Sequence, residues 1–155
     1  MGGDSLEPFL AACGRGSGLF VLARTSNPGG SDLQQEPLAD GRPLWERTAE
    51  LIAQWGAGLV GECGLSSVGA VVGATHPEAV ERARELMPQQ VLLLPGVGAQ
   101  GGSAGDLAAA FRDHPAGGLV VAARSVIYAW RERRGDWQQS VRAAAAELRQ
   151  ATPTT

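Results

Sequence analysis

Four short, continuously apolar runs divide the chain into repeated units and constrain its fold more than any other feature. They occupy residues 18–23, 68–73, 90–94 and 118–122. Their apolar residues do not alternate with polar ones, which is typical of strands buried on both faces of a parallel sheet. Helical patterns lie between the runs. The order therefore predicts an α/β fold with parallel strands and right-handed crossovers.

Capping residues and prolines mark the helices between these runs. They predict five helix starts, and glycine or proline follows two of the helices that they open. The predicted starts are Asp4 with Glu7, Pro43, Thr75 with Glu78, Ser103 with Asp106, and Asp136 with Gln139. We expect one domain over residues 1–150, with disorder confined to residues 34–40 and to a tail of residues 151–155.

The third apolar run leads into a glycine-rich loop and a predicted helix start, over residues 92–106. Glycine has no Cβ, so backbone N–H groups can turn toward an anion, and a helix N-terminus favours phosphate. Gln100 lies among these glycines as a further donor. The fourth run ends close to Arg124, whose guanidinium can bind phosphate bidentately. The sequence therefore predicts a phosphate site.

The same loop also matches a dinucleotide-binding motif. Gly96, Gly98 and Gly101 have the spacing G-x-G-x-x-G. In dinucleotide-binding folds, however, the motif lies in the first strand-to-helix turn, and an acidic residue ends the next strand. Here one strand remains, and Arg124 follows it. A phosphate site without a dinucleotide is therefore favoured.

Two architectures accept four such units, a doubly wound open sheet and part of a (β/α)8 barrel. Barrel enzymes commonly hold phosphate in the loops after the last two strands and at a short extra helix. The glycine loop follows the third run, Arg124 follows the fourth, and a short helical segment is predicted over residues 126–130. We therefore predict the C-terminal half of a TIM barrel, with about four parallel strands and interleaved helices.

Composition and charge argue against several classes of function. The net charge of -3 and the pI of about 5.4 disfavour nucleic-acid and membrane partners, which need a basic face. We find no signal peptide and no membrane-spanning apolar stretch, so we expect a cytoplasmic protein. Cys13 and Cys63 are expected to be free buried thiols without metal-site spacing to a histidine. All 13 basic residues are arginines, so the chain has no lysine ammonium.

Several other residues are open to a structural or a functional interpretation. Residues 24–30 follow the first strand and form either a polar turn or part of a site mouth. His76 is expected to be structural, because a helix N-terminus explains it. No nucleophilic triad and no metal cluster are apparent. Residues 131–134 are interpreted as a solvated segment, and core packing is expected for Trp45, Trp55, Trp130 and Trp137.

Four ordered motifs carry a resemblance to a known family. They are RTSNPGGSDLQ from residue 24, VGAVVGATHPE from residue 68, LLLPGVGAQGG from residue 92 and AARSVIYA from residue 122. Together they resemble orotidine 5′-phosphate decarboxylase, in the longer bacterial subfamily with Thr-Ser-Asn-Pro-Gly and Gly-Ala-Thr-His-Pro motifs. The resemblance extends to about Leu148 and implies that the chain corresponds to the C-terminal half of that barrel.

The resemblance implies an activity and a set of site residues. The family converts orotidine monophosphate to UMP and CO2 in a barrel that is usually dimeric, without a cofactor or metal. By motif position, Gln100 and Arg124 hold the 5′-phosphate, and Ser26 hydrogen-bonds the pyrimidine amide edge. Backbone approach is assigned to Gly98, Gly101 and Gly102, and the adjacent wall to Pro95, Gly96 and Val97.

The family's catalytic array is not represented in these motifs. The resemblance places an Asp-x-Lys-x-x-Asp segment, with a further lysine and aspartate, in the N-terminal half. Because this chain has no lysine, we expect no catalytic residue in it and no activity without a lysine-bearing half. The alternatives are a non-catalytic nucleotide-binding module made of two half-barrels, and another phosphosugar barrel such as an isomerase.

Overall fold

A computed structural model describes residues 2–133 and 135–153. The helices are α1 (Gly3–Cys13), α2 (Ser31–Gln34), α3 (Leu44–Gly56), α4 (Pro77–Leu86), α5 (Arg124–Ile127) and α6 (Trp137–Ala151). The strands are β1 (Leu19–Arg24), β2 (Ser66–Val72), β3 (Gln90–Pro95) and β4 (Gly118–Val121). Short 3-10 helices cover Pro28–Gly30, Ala57–Leu59, Ala104–Phe111 and Ala129–Arg131.

The four strands form one parallel sheet in the order β1-β2-β3-β4. Each strand therefore pairs with the next one along the chain, and the segment between them crosses over the same face. Gly69 on β2 leaves room for the neighbouring Phe20 on β1, since a Cβ at position 69 would lie 2.6 Å from the Phe20 ring. This order confirms the predicted α/β half-barrel.

One face of the sheet is covered by helices and forms the core. The strand side chains that point to it alternate with those of the other face, as strand geometry requires. Burying each large aliphatic side chain stabilises the fold by roughly 1.5–3 kcal/mol. The buried core residues include Val68, Ala70, Val72, Leu92 and Leu94 from the sheet, Ile52 from α3, Val80 from α4, and Leu107 and Phe111 from the third 3-10 helix.

The other face of the sheet, which we call the open face, is partly exposed to solvent. Leu22 on β1 is 61% exposed and Leu119 on β4 is 49% exposed, with Phe20 and Val121 exposed beside them. The prediction that the strands are buried on both faces is therefore wrong for β1 and β4. These strands are continuously apolar because one face packs against helices and the other is the face that would line the interior of a closed barrel.

Three further expectations need correction. Residues 34–40 are not disordered, because Pro37 bridges to Pro43 and the Leu38 N–H donates to the Arg42 carbonyl at 2.8 Å. Cys13 is buried, but Cys63 is exposed because it lies in the turn before β2. Of the expected tail, Ala151 ends α6, and residues 154 and 155 lie outside the described residues.

The tryptophans and helix starts also divide between confirmed and wrong predictions. Trp45 is buried, whereas Trp130 lies in an exposed 3-10 turn and Trp137, the first residue of α6, is 59% exposed. Asp136 caps α6 as predicted, accepting from the Gln139 N–H at 3.2 Å. The predicted helix after Ser103 is a 3-10 helix. Arg134, in the predicted solvated segment, lies outside the described residues. None of the described helices has the length and apolar character needed to cross a bilayer.

A buried arginine ties together the amino end of the sheet. The Arg84 side chain on α4 is 3% exposed, and its guanidinium donates to five backbone carbonyls at 2.7–3.2 Å. These carbonyls belong to Met87, Pro88, Gln90, Ala110 and Gly117. Burial lowers the pKa of Arg84, and the negative charge of Asp113 opposes that shift. The guanidinium thus joins the end of α4, the start of β3 and the segments on either side of residues 110–117 through their backbone carbonyls.

We predict that Arg84→Met lowers the free energy of unfolding by about 3 kcal/mol, because buried carbonyls lose their donors. Urea denaturation followed by circular dichroism measures this change. Arg142→Met, at an exposed position of α6, is the control and should change stability by no more than about 0.5 kcal/mol. Equal losses in the two variants would show that the carbonyl contacts of Arg84 do not stabilise the fold.

Candidate functional site

Three loops meet at the carboxyl edge of the sheet. Ser26 follows β1, Gln100 lies in the loop after β3, and Arg124 begins α5 after β4. The Ser26 hydroxyl donates to the Gln100 side-chain carbonyl at 3.0 Å, across 74 positions of sequence. Parallel strands place all their carboxyl ends at one edge, and this edge is where ligands bind in barrel and open α/β folds.

A small cleft lies between the glycine loop and the segment that follows β4. Its volume is ≈ 160 Å³, and it is lined by Pro95, Gly96, Val97, Ala99, Gln100, Val121, Ala122, Ala123 and Arg124. Pockets for whole small molecules usually measure roughly 300–1,000 Å³. The cleft therefore suits one polar group of a ligand, such as a phosphate, while the rest of that ligand lies outside it.

The glycine loop is shaped by its own hydrogen bonds. Gly96, Gly98 and Gly101 have φ angles of 106°, 75° and 91°, in the left-handed region that glycine adopts without strain. The N–H groups of Gly98, Gly101 and Gly102 donate to carbonyls inside the loop. The N–H groups of Ala99 and Gln100 donate to no acceptor among the described residues. These two N–H groups, unlike those of Gly98, Gly101 and Gly102, therefore have no partner inside the loop and could donate to an anion.

Two glycines also let neighbouring loops approach the site closely. A Cβ on Gly98 would lie 2.8 Å from the Ser125 hydroxyl oxygen, and one on Gly73 would lie 2.7 Å from the Ser26 backbone nitrogen. Real Cβ contacts are not this short. Ser125 and Ser26 are thereby held against the glycine loop and the end of β2.

A second cavity, of ≈ 450 Å³, opens on the β1 side of Gln100. It is lined by Ser26, Pro28, Thr75, His76 and Gln100. The Thr75 hydroxyl donates to the Ser26 carbonyl at 3.3 Å, which ties the start of α4 to the β1 loop. His76 therefore borders the site, and its ring lies 3.3 Å from the guanidinium of Arg24.

A third cavity of ≈ 450 Å³ continues from Arg124 away from the sheet. Its lining residues are Gly98, Ala99, Arg124, Ser125, Tyr128, Ala129, Arg131 and Glu132. The Arg131 guanidinium lies 4.3 Å from the centre of the Tyr128 ring. The lining contains two arginines and one glutamate, so the net charge around the cleft favours an anionic ligand.

A larger surface hollow lies elsewhere, between α4 and the third 3-10 helix. Its volume is ≈ 780 Å³, and its lining includes Glu78, Glu81 and Asp106, with Arg112 paired to Glu81 at 2.9 Å. Carboxylates repel phosphate, and this hollow is on the outer surface of the helices. We therefore place the candidate site at the carboxyl edge of the sheet.

The structure groups most of the predicted site residues and adds others. Seven of them, Ser26, Pro95, Gly96, Val97, Gly98, Gln100 and Arg124, line the cavities at the carboxyl edge. Gly101 and Gly102 shape the loop without lining a cavity. Sequence reasoning missed Ala99 and Arg24 and set His76 aside. The position of Arg24 at the end of an apolar run was the one available signal.

Comparison with known proteins agrees with this geometry. The family model "Orotidine 5'-phosphate decarboxylase / HUMPS family" matches residues 1–137. The chain belongs to this family. It is 42% identical to the orotidine 5′-phosphate decarboxylase of Rhodopirellula baltica over 96% of the chain, and 44% identical to that of Roseiflexus castenholzii over 97%. Leishmania donovani OMP decarboxylase superposes on 97% of the chain with a TM-score of 0.70 and 30% identity.

The chain corresponds to only a part of each of these relatives. The chain covers 51% and 52% of the two bacterial relatives and 54% of the Leishmania structure. It therefore spans about half the length of the family members that it matches. The predicted half-barrel is confirmed by this partial coverage together with the four sequential parallel strands.

We predict that Gly98→Ala disturbs the site more than Gly101→Ala. Both place a side chain at positive φ, which costs roughly 1–2 kcal/mol. Only the residue at 98 also meets Ser125, since a Cβ at Gly101 has no heavy atom within 4 Å. The backbone N–H signals of Ser125 and Val126 in NMR spectra should shift in the Gly98 variant and not in the Gly101 variant. Identical spectra would show that the close approach is not maintained in solution.

Proposed function

We propose that this chain is the phosphate-binding half of an orotidine 5′-phosphate decarboxylase, which converts orotidine monophosphate to UMP and CO2. The observation that carries the proposal is the meeting of Ser26, Gln100 and Arg124 at one sheet edge. Family membership supplies the reaction. The geometry indicates which part of that reaction these residues could perform.

Arg124 and Gln100 are proposed to hold the 5′-phosphate. Both line the ≈ 160 Å³ cleft, whose size suits a phosphate group. The guanidinium of Arg124 would donate two parallel hydrogen bonds, which is the strong geometry for phosphate. The N–H groups of Ala99 and Gln100 provide additional donors at the same wall. Gly98 allows the loop to lie close to the segment that carries Arg124.

Ser26 is proposed to hydrogen-bond the pyrimidine amide edge. Its hydroxyl contacts Gln100, so the group that meets the base and the group that meets the phosphate are directly connected. Contacts to a phosphate far from the reacting carbon can still accelerate a reaction, when their binding energy aligns or closes the site. In this proposal, the chain provides that remote binding energy.

The proton chemistry is proposed to come from a second, lysine-bearing half. A lysine ammonium would stabilise and protonate the carbanion at C6 after CO2 departs. The pKa of arginine is too high for efficient proton donation, and arginine is the basic residue this chain has. The exposed apolar side chains of the open face and the unpaired edges of β1 and β4 suit such a partner. No cofactor or metal is part of this proposal.

A second candidate function is a nucleotide-binding module without catalysis. It is favoured by the two sheet edges, because β4 of one copy could pair in parallel with β1 of another and close an eight-stranded barrel. Such a dimer would carry two phosphate clefts and no lysine. The homodimer expected for intact family members, and the cytoplasmic location, remain predictions.

We predict that the chain binds UMP more tightly than uridine, because the phosphate provides the main contacts. Arg124→Gln should weaken UMP binding by about tenfold and leave uridine binding unchanged, since a charged hydrogen bond is worth roughly 1.5–3 kcal/mol. Isothermal titration calorimetry measures both affinities. Arg112→Gln, an exposed arginine on the helix side of the sheet, is the matched control.

Equal affinity for UMP and uridine in the unaltered chain would contradict the phosphate assignment. Analytical ultracentrifugation of the same samples separates the two candidate functions. A discrete dimer that binds UMP supports the module, and a chain that dimerises only with a lysine-bearing half supports the enzyme.

A further inference from the structure

Arg24 is a buried cation that has no carboxylate partner among the described residues. It ends β1, is 2% exposed, and donates to the carbonyl of Thr25, the side-chain carbonyl of Gln34 and the hydroxyl of Ser31 at 3.0–3.3 Å. Its Nη2 lies 3.3 Å from His76 Nε2, and its Nε has no partner among the described residues. Burying a charge among neutral acceptors is unfavourable for folding. A role other than stability would account for its presence here.

The contacts of Arg24 converge on the loop that carries Ser26. The Gln34 side-chain carbonyl accepts from the Arg24 guanidinium at 3.0 Å and from the Thr25 N–H at 2.9 Å. It also lies 3.2 Å from the Thr25 hydroxyl. These contacts join residues 25–34 into one unit. Ser26 directly follows Thr25, which makes two of the contacts to Gln34. A Cβ at Gly30 would lie 3.1 Å from the Arg24 guanidinium, so the loop packs tightly over it.

His76 connects this unit to the start of α4. A guanidinium only donates hydrogen bonds, so His76 Nε2 is the acceptor in its contact with Arg24. The other ring nitrogen, Nδ1, lies 3.6 Å from the Glu78 carboxylate at the start of α4. Next to His76, Thr75 donates to the Ser26 carbonyl. Ser26 is therefore held from β1 and from α4 at once.

We infer that Arg24 is a positioning residue for the nucleotide site, acting through Gln34 and His76. It holds the Ser26 backbone so that the hydroxyl meets Gln100, and the Gln100 amide group is then oriented before any phosphate arrives. The effect on phosphate binding rests on the proposed function, because Gln100 is the proposed phosphate ligand. The network of contacts around Arg24 does not depend on that function.

Arg24→Gln and Gln34→Ala test the inference, the second at a half-buried position where folding is less at risk. Each should shift the Gln100 side-chain amide signals in NMR spectra and weaken UMP binding about fivefold, as expected for one lost hydrogen bond. Gln34→Glu keeps the acceptor beside Arg24 and should restore both readouts. Arg84→Lys, which alters a buried arginine at the opposite end of the sheet, should lower stability and leave UMP affinity unchanged.

The outcomes separate the inference from the proposed function. Unchanged Gln100 signals in both Arg24→Gln and Gln34→Ala would overturn the positioning role. An equal loss of UMP affinity in Arg84→Lys would also overturn it, by showing that any loss of stability weakens binding. If the unaltered chain binds neither UMP nor inorganic phosphate, the proposed function fails, and the Gln100 signals still decide whether Arg24 positions that residue.

Discussion

Parallel pairing in sequence order is the constraint on which the rest of this structure depends. It places every strand's carboxyl end at one edge, so loops separated by 74 positions of sequence meet there through Ser26 and Gln100. It also sends each connecting segment across the same face. The helices consequently cover one side of the sheet and leave the open face, where Leu22 and Leu119 are exposed. One pairing rule thus produces both the candidate site and the surface that a second half would cover.

In the part of the chain that the structure describes, two buried arginines contact the two ends of the sheet in different ways. Arg84 donates to backbone carbonyls at the amino end, and these contacts join α4, β3 and the start of β4. Arg24 contacts mainly side chains at the carboxyl end, namely Gln34 and Ser31 in the loop around Ser26 and His76 at the start of α4. Every sequence that adopts this fold has backbone carbonyls at these positions. A network of specific side chains, by contrast, fixes the geometry of one site.

The strands, and the meeting of Gln100 and Arg124 at one sheet edge, could be predicted from the sequence, because both depend on local pattern. Apolar runs revealed the strands, and the position of Gln100 and Arg124 directly after two of them indicated a shared edge. Arg24 and the role of His76 were not predictable in this way. Their significance depends on a contact across 52 positions that only the folded sheet brings together. The open face was mispredicted for a related reason, since an apolar run does not reveal whether both of its faces are covered.

We propose that this chain binds the phosphate of the nucleotide and that another segment performs the chemistry. The most direct measurement is UMP formation from orotidine monophosphate by the purified chain, alone and mixed with the part of the Rhodopirellula baltica relative that the chain does not match. We expect no turnover by the chain alone and measurable turnover by the mixture. Turnover by the chain alone would contradict it.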